Sequence, residues 1–114
     1  MALDATFERV CPATDIKRGT VAAFEVQGTP VAVVHCEDGT YHAVHDDCSH
    51  QDIPLSEGDV DGCTIECWLH GSRFDLRTGE PTGLPATEPI PVFPVEIHEG
   101  DVYVSLAPSN GVNP

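Results

Sequence analysis

The chain of 114 residues is poor in positive charge: one lysine and four arginines face nineteen acids, and the formal net charge is −14. Nucleic acid and anionic membrane surfaces repel such a chain, so neither is expected as a partner. Long hydrophobic runs are lacking too. No stretch stays apolar over the ~20 residues that a membrane-spanning helix needs. The segment Met1-Ala2-Leu3-Asp4-Ala5-Thr6 has no basic region followed by an apolar run, so no signal peptide is read there and a cytoplasmic location is expected. There is no helical stripe of useful length and no internal repeat, and the tail from Ala107 to Pro114 reads as loose. In a reducing compartment the five cysteines are expected as ligands and free thiols, not as a disulfide framework. The acidity itself fits two readings, a field that steers a basic protein partner or a solvated, salt-adapted surface.

What is present has the periodicity of strands. Thr20–Val26, Thr29–Cys36 and Thr40–Val44 are short and rich in Val, Ala, Thr and Phe. Cys36-Glu37-Asp38-Gly39-Thr40 reads as a hairpin turn, since glycine takes the positive φ that closes it. His98-Glu99-Gly100-Asp101 gives a second hairpin, between strands Val92–Ile97 and Val102–Leu106. Asp61-Gly62 marks a third turn, leading into Cys63–Trp68. Many short strands separated by Gly and Pro turns predict one all-β domain over residues 1–114, with stacked sheets. Pro81, Pro85, Pro89 and Pro91 stiffen one long connection, because proline fixes φ and removes a donor.

The chemistry is concentrated in two segments, Cys48-Ser49-His50 and Cys67-Trp68-Leu69-His70, with sixteen residues between His50 and Cys67. Each supplies one thiolate and one imidazole. A pair of tight loops with this C-x-H and C-x-x-H content suits a binuclear centre, with two cysteines on one iron and two histidines on the other. The same donor set can hold structural zinc. Zinc fingers, however, group their cysteines together and their histidines together, whereas each segment here mixes the two.

The chain resembles Rieske-type [2Fe–2S] ferredoxins, the ferredoxin components of ring-hydroxylating dioxygenase-like systems. The resemblance rests on Cys48-Ser49-His50, on the run Cys67-Trp68-Leu69-His70-Gly71-Ser72-Arg73-Phe74-Asp75, and on Arg77-Thr78-Gly79 and Leu84-Pro85-Ala86. It implies the Rieske fold, stacked antiparallel sheets with a cluster-binding subdomain inserted at about residues 45–85. It implies one [2Fe–2S] cluster per chain, with Cys48 and Cys67 on the inner iron. His50 and His70 would hold the outer iron, which takes the electron. The implied function is carriage of one electron from an NAD(P)H-dependent flavoprotein reductase to a terminal non-haem iron oxygenase. The catalytic subunits of such oxygenases need a second, larger domain with a 2-His-1-carboxylate site. The chain has no room for one, so no catalysis of its own is expected.

Two departures from the high-potential members are visible. Those carry an additional cysteine in each loop, where Ile53 and Leu69 stand here. They also place a tyrosine hydroxyl where this chain has Phe74. Fewer hydrogen bonds to sulfur imply a lower potential. Cys63 is either an alternate ligand or a small buried hydrophobe, and Cys11 and Cys36 read as core thiols. His35, His42, His45 and His98 read as packing or surface residues, with His45 the nearest to the ligand segments. Trp68 and Leu69 are open between packing and an apolar docking rim, for which Asp46, Asp47 and Asp52 would be the acidic border. The rival functions are a small subunit of another redox complex, such as a nitrite reductase, an accessory to iron–sulfur assembly, and a zinc-stabilised interaction module.

Overall fold

The computed structural model describes residues 7–46, 55–66, 73–82 and 89–106. Within them the chain forms three antiparallel sheets and two single 3₁₀ turns, at Ala13–Asp15 and Leu55–Glu57. The all-β expectation of stacked antiparallel sheets therefore holds. No helix among the described residues is long and apolar enough to cross a membrane.

The first sheet joins β1 (Phe7–Pro12) to β10 (Asp101–Ser105) and β10 to β9 (Val95–His98). The central sheet runs β2 (Thr20–Val26), β3 (Thr29–His35), β4 (Tyr41–His45), β8 (Val92–Phe93). The third is a meander of three short strands, β5 (Asp59–Asp61), β6 (Thr64–Glu66) and β7 (Arg73–Asp75). Turn chemistry sets the registers. Gln27 and Gly28 both take positive φ between β2 and β3, and Glu99 and Gly100 do so between β9 and β10. Two consecutive left-handed residues give the turn whose twist matches its flanking strands.

Strand β3 is central, and the sequence explains why. Val31, Ala32, Val33 and Val34 are an unbroken apolar run, and all four are fully buried. A strand covered on both faces needs no polar alternation. Val31 and Val33 pack with Ala43, Phe93, Val102 and Val104 against the first sheet. Ala32 and Val34 pack with Val44, Leu55, Ile65, Phe74 and Leu76 on the side of the third sheet. Two cores thus share one strand.

The segment 92–97 was expected as one strand. It is two, because Pro94 interrupts it: β8 pairs with β4, and after the proline β9 pairs with β10. Proline has no N–H to continue a ladder, and the chain changes sheet there.

Candidate metal centre

The four expected ligands, Cys48, His50, Cys67 and His70, lie outside the described residues, as do Asp47, Asp52, Ile53, Trp68 and Leu69. The residues flanking both segments are described. The first segment leaves β4 through Asp46 and returns through the 3₁₀ turn at Leu55–Glu57. The Asp46 carboxylate ties the two flanks of this segment together: it accepts the Ser56 N–H at 2.7 Å on Oδ1 and the Ser56 hydroxyl at 2.7 Å on Oδ2. Asp46 is buried by this arrangement, at 9 % exposure. The expectation that Asp46 borders a docking surface is therefore corrected. Its charge satisfies donors inside the fold instead of facing a partner.

The second segment is the connection between β6 and β7, whose feet Glu66 and Arg73 are directly paired. Arg73 Nη2 donates to Glu66 Oε2 at 2.6 Å, and Nη1 donates to Thr64 Oγ1 at 3.3 Å. Phe74 lies one residue further on, fully buried among Leu55, Ile65 and Leu76. The two sets of feet adjoin. Asp59 pairs with Glu66 across β5 and β6, and a Cβ placed on Gly58 would collide with the Glu66 backbone carbonyl. The residue that leads into β5 must therefore be glycine, because backbone meets backbone there. The two segments, each with one cysteine and one histidine in its sequence, thus have adjoining, anchored ends, and this donor set suits a mixed Cys/His iron–sulfur centre.

Two of the three remaining cysteines depart from expectation. Cys36, just after β3, and Cys63, just before β6, form a disulfide with Cα atoms 5.2 Å apart. This corrects the reading of Cys36 as a core thiol and of Cys63 as a ligand or lone hydrophobe. The sequence offered no signal for it, since the two residues belong to different sheets and are 27 positions apart. Cys11 is buried, and desolvation raises its thiol pKa, as fits an inert core residue. His35 has the packing role expected: its Nδ1 lies 2.9 Å from the Ile16 carbonyl, and its ring stacks on Tyr41.

His42 was expected as an ordinary residue, but it stands beside the Cys36–Cys63 pair. The ligand atoms of Cys36, His42 and Cys63 all lie within 4.8 Å of one another. The Thr40 hydroxyl donates to Asp38 Oδ1 at 2.6 Å, so its oxygen accepts from His42 Nε2 at 2.9 Å. Desolvation, and then the Arg77 charge, lower the His42 pKa. The Thr40 hydroxyl and N–H lower that of Asp38, which also receives Arg77 Nη2 at 2.7 Å.

Comparison with known proteins completes the picture. The Rieske [2Fe-2S] domain family model matches residues 6–94. Ferredoxin CarAc of Metapseudomonas resinovorans is 43 % identical over 98 residues, covering 85 % of this chain and 91 % of that protein. The solved ferredoxin of carbazole 1,9a-dioxygenase from Nocardioides aromaticivorans IC177 superposes with a TM-score of 0.84 at 35 % identity, covering 89 % of this chain and 98 % of that one. A chain in a complex of reduced oxygenase and oxidized ferredoxin in carbazole 1,9a-dioxygenase superposes with a TM-score of 0.83 at 41 % identity, covering 90 % and 94 %.

Proposed function

The chain belongs to the Rieske [2Fe–2S] domain family, and from that premise we propose that it takes one electron from an NAD(P)H-dependent flavoprotein reductase and delivers it to a terminal non-haem iron oxygenase. It is an electron carrier with one [2Fe–2S] cluster and not itself a catalyst, in keeping with relatives that are ferredoxin components of oxygenase systems. Those relatives favour an oxygenase as acceptor over a nitrite reductase, and an electron carrier over an iron–sulfur assembly accessory or a zinc module. The observation that carries the reading is the pair of mixed Cys/His segments above adjoining, anchored feet. Cys48 and Cys67 are the proposed thiolate ligands and His50 and His70 the proposed imidazole ligands, within a cluster-binding part at about residues 45–85.

The bound cluster would supply a one-electron couple whose potential is raised by exchanging two thiolates for neutral imidazoles. The chain's own part is to hold the ligands still. Asp46 fixes the base of the first loop through Ser56, and Arg73 fixes the base of the second through Glu66 and Thr64. Rigid feet limit how far the ligands must rearrange when the charge changes.

The purified protein should contain about two irons and two acid-labile sulfides per chain. Its reduced form should have the low average g-value of mixed Cys/His ligation in electron paramagnetic resonance. Replacing His50 or His70 with Ala should abolish that signal. Equimolar zinc with no labile sulfide in the native protein would overturn the assignment.

A further inference from the structure

Cys36, His42 and Cys63 are left over once the cluster ligands are assigned, and they come together from three places in the fold. Cys36 ends the run of β3, His42 lies on β4, and Cys63 follows the turn after β5. Among the described residues they are the group of Cys, His and carboxylate donors close enough to share one ion. We propose that this trio is a second metal site, specific for a thiophilic cation of the Zn²⁺ class, closed while Cys36 and Cys63 are joined and opened when their disulfide is reduced.

The donor set decides the class of ion. Two thiolates and an imidazole select Zn²⁺ and its softer neighbours over Mg²⁺ or Ca²⁺, which take oxygen ligands. Three protein donors leave a fourth tetrahedral position for water. The Cα separation of 5.2 Å already holds both sulfurs on one side of the site. The imidazole is also prepared. Burial disfavours its charged form and so favours the neutral ring, which has a nitrogen lone pair to offer. The chain from Asp38 through the Thr40 hydroxyl to His42 Nε2 orients the ring, as outer carboxylates orient histidines at metal sites. Thr40 Oγ1 lies 3.9 Å from Cys63 Sγ, so the same hydroxyl touches two of the three donors. Cys36 is buried while Cys63 and His42 are half-buried, which leaves the entry on the Cys63 side.

The opening step balances with a trialkylphosphine as reductant. The S–S bond breaks as it takes two electrons from the phosphine, which becomes its oxide with the oxygen of water, and the two water protons go to the sulfurs. Zn²⁺ then displaces both protons as the thiolates bind. The trio shares no residue with the proposed cluster ligands, so failure at one site is distinguishable from failure at the other.

The test uses the iron-loaded protein, before and after anaerobic treatment with a phosphine, equilibrated with Zn²⁺ against a chromophoric chelator. The reduced protein should gain about one zinc per chain with micromolar or tighter affinity while its iron and labile sulfide stay constant. Alkylation followed by mass spectrometry should find Cys36 and Cys63 modified only after reduction and shielded again by zinc. The disulfide form should take up none. Cys63→Ser should lose the uptake and keep its iron, and His42→Gln should weaken the affinity at least about tenfold. A pair that is reduced and alkylated but binds no zinc would overturn the proposal. So would a pair that no phosphine reduces in the folded protein, or a Cys63→Ser protein that binds zinc as well as the parent.

Discussion

Phe74 stands where high-potential relatives carry a hydroxyl, and its ring is fully buried among Leu55, Ile65 and Leu76. The unmodified protein should therefore have a potential near the lower Rieske limit of about −150 mV. A cluster-retaining Phe74→Tyr protein should be shifted upward by roughly 40 mV, the one-electron equivalent of a hydrogen bond worth ~1 kcal/mol. Protein-film voltammetry reads the shift directly; no change or a fall would show that the new hydroxyl does not reach sulfur. Asp46 offers a second test. Its carboxylate accepts two hydrogen bonds from Ser56, so Asp46→Ala should cost about 1.5–3 kcal/mol. Asp46→Asn should cost less, because one carbonyl acceptor survives. Chemical denaturation compares them, and an Ala variant as stable as the parent would remove Asp46 from its clamping role. The sequence could not distinguish this acid from its neighbours, because exposure of a carboxylate is decided by a serine ten positions away. The family, by contrast, was legible, since the C-x-H and C-x-x-H segments that carry the resemblance are a matter of local spacing.

At the scale of elements, what the sequence revealed were strands with regular alternation or β-branched runs and glycine turns. Thr20–Val26 has the bounds expected from its residues, and the hairpin at Glu99-Gly100 falls where it was read. What stayed hidden has physical causes. Strand β1 contains a register shift between Arg9 and Cys11, which breaks the two-residue period by which a strand is recognised. Strands β5 and β7 are three residues each, too short to show any period. The third sheet is nevertheless tightly specified, because Gly58 lies directly against the Glu66 carbonyl at the start of β5. Gly58→Ala must push β5 away from β6, and overpacking of this kind costs about 1–3 kcal/mol. The variant should melt several degrees lower and lose iron faster to a chelator, since the segments with the proposed ligands are continuous with the turn before β5 and with β6 and β7. A normal melting temperature would mean that the backbone yields there at no cost.

At the scale of the molecule, the net charge of −14 is the dominant property. If it steers a redox partner, reduction by the flavoprotein should slow about tenfold or more between about 20 mM and about 500 mM salt, because exposed charges are screened beyond about 8–10 Å at ordinary ionic strength. Trp68→Ala should weaken partner binding while leaving the salt slope largely unaltered, since central aromatics act on dissociation and rim charges on encounter. Stopped-flow reduction across a salt series measures both. A rate indifferent to salt would reduce the charge to a matter of solubility, and an unchanged affinity in a cluster-intact Trp68→Ala protein would return Trp68 to packing.

Strand β3 works as a party wall. Val31 and Val33 answer to the interior shared with the first sheet, and Ala32 and Val34 to the interior on the side of the third sheet. Successive letters of one short word thus address different rooms. A mutation at an even position can retune the interior on the side of the third sheet while the odd positions keep the other interior unchanged. Any one-residue slip of the strand would exchange the two addresses and disturb both rooms together.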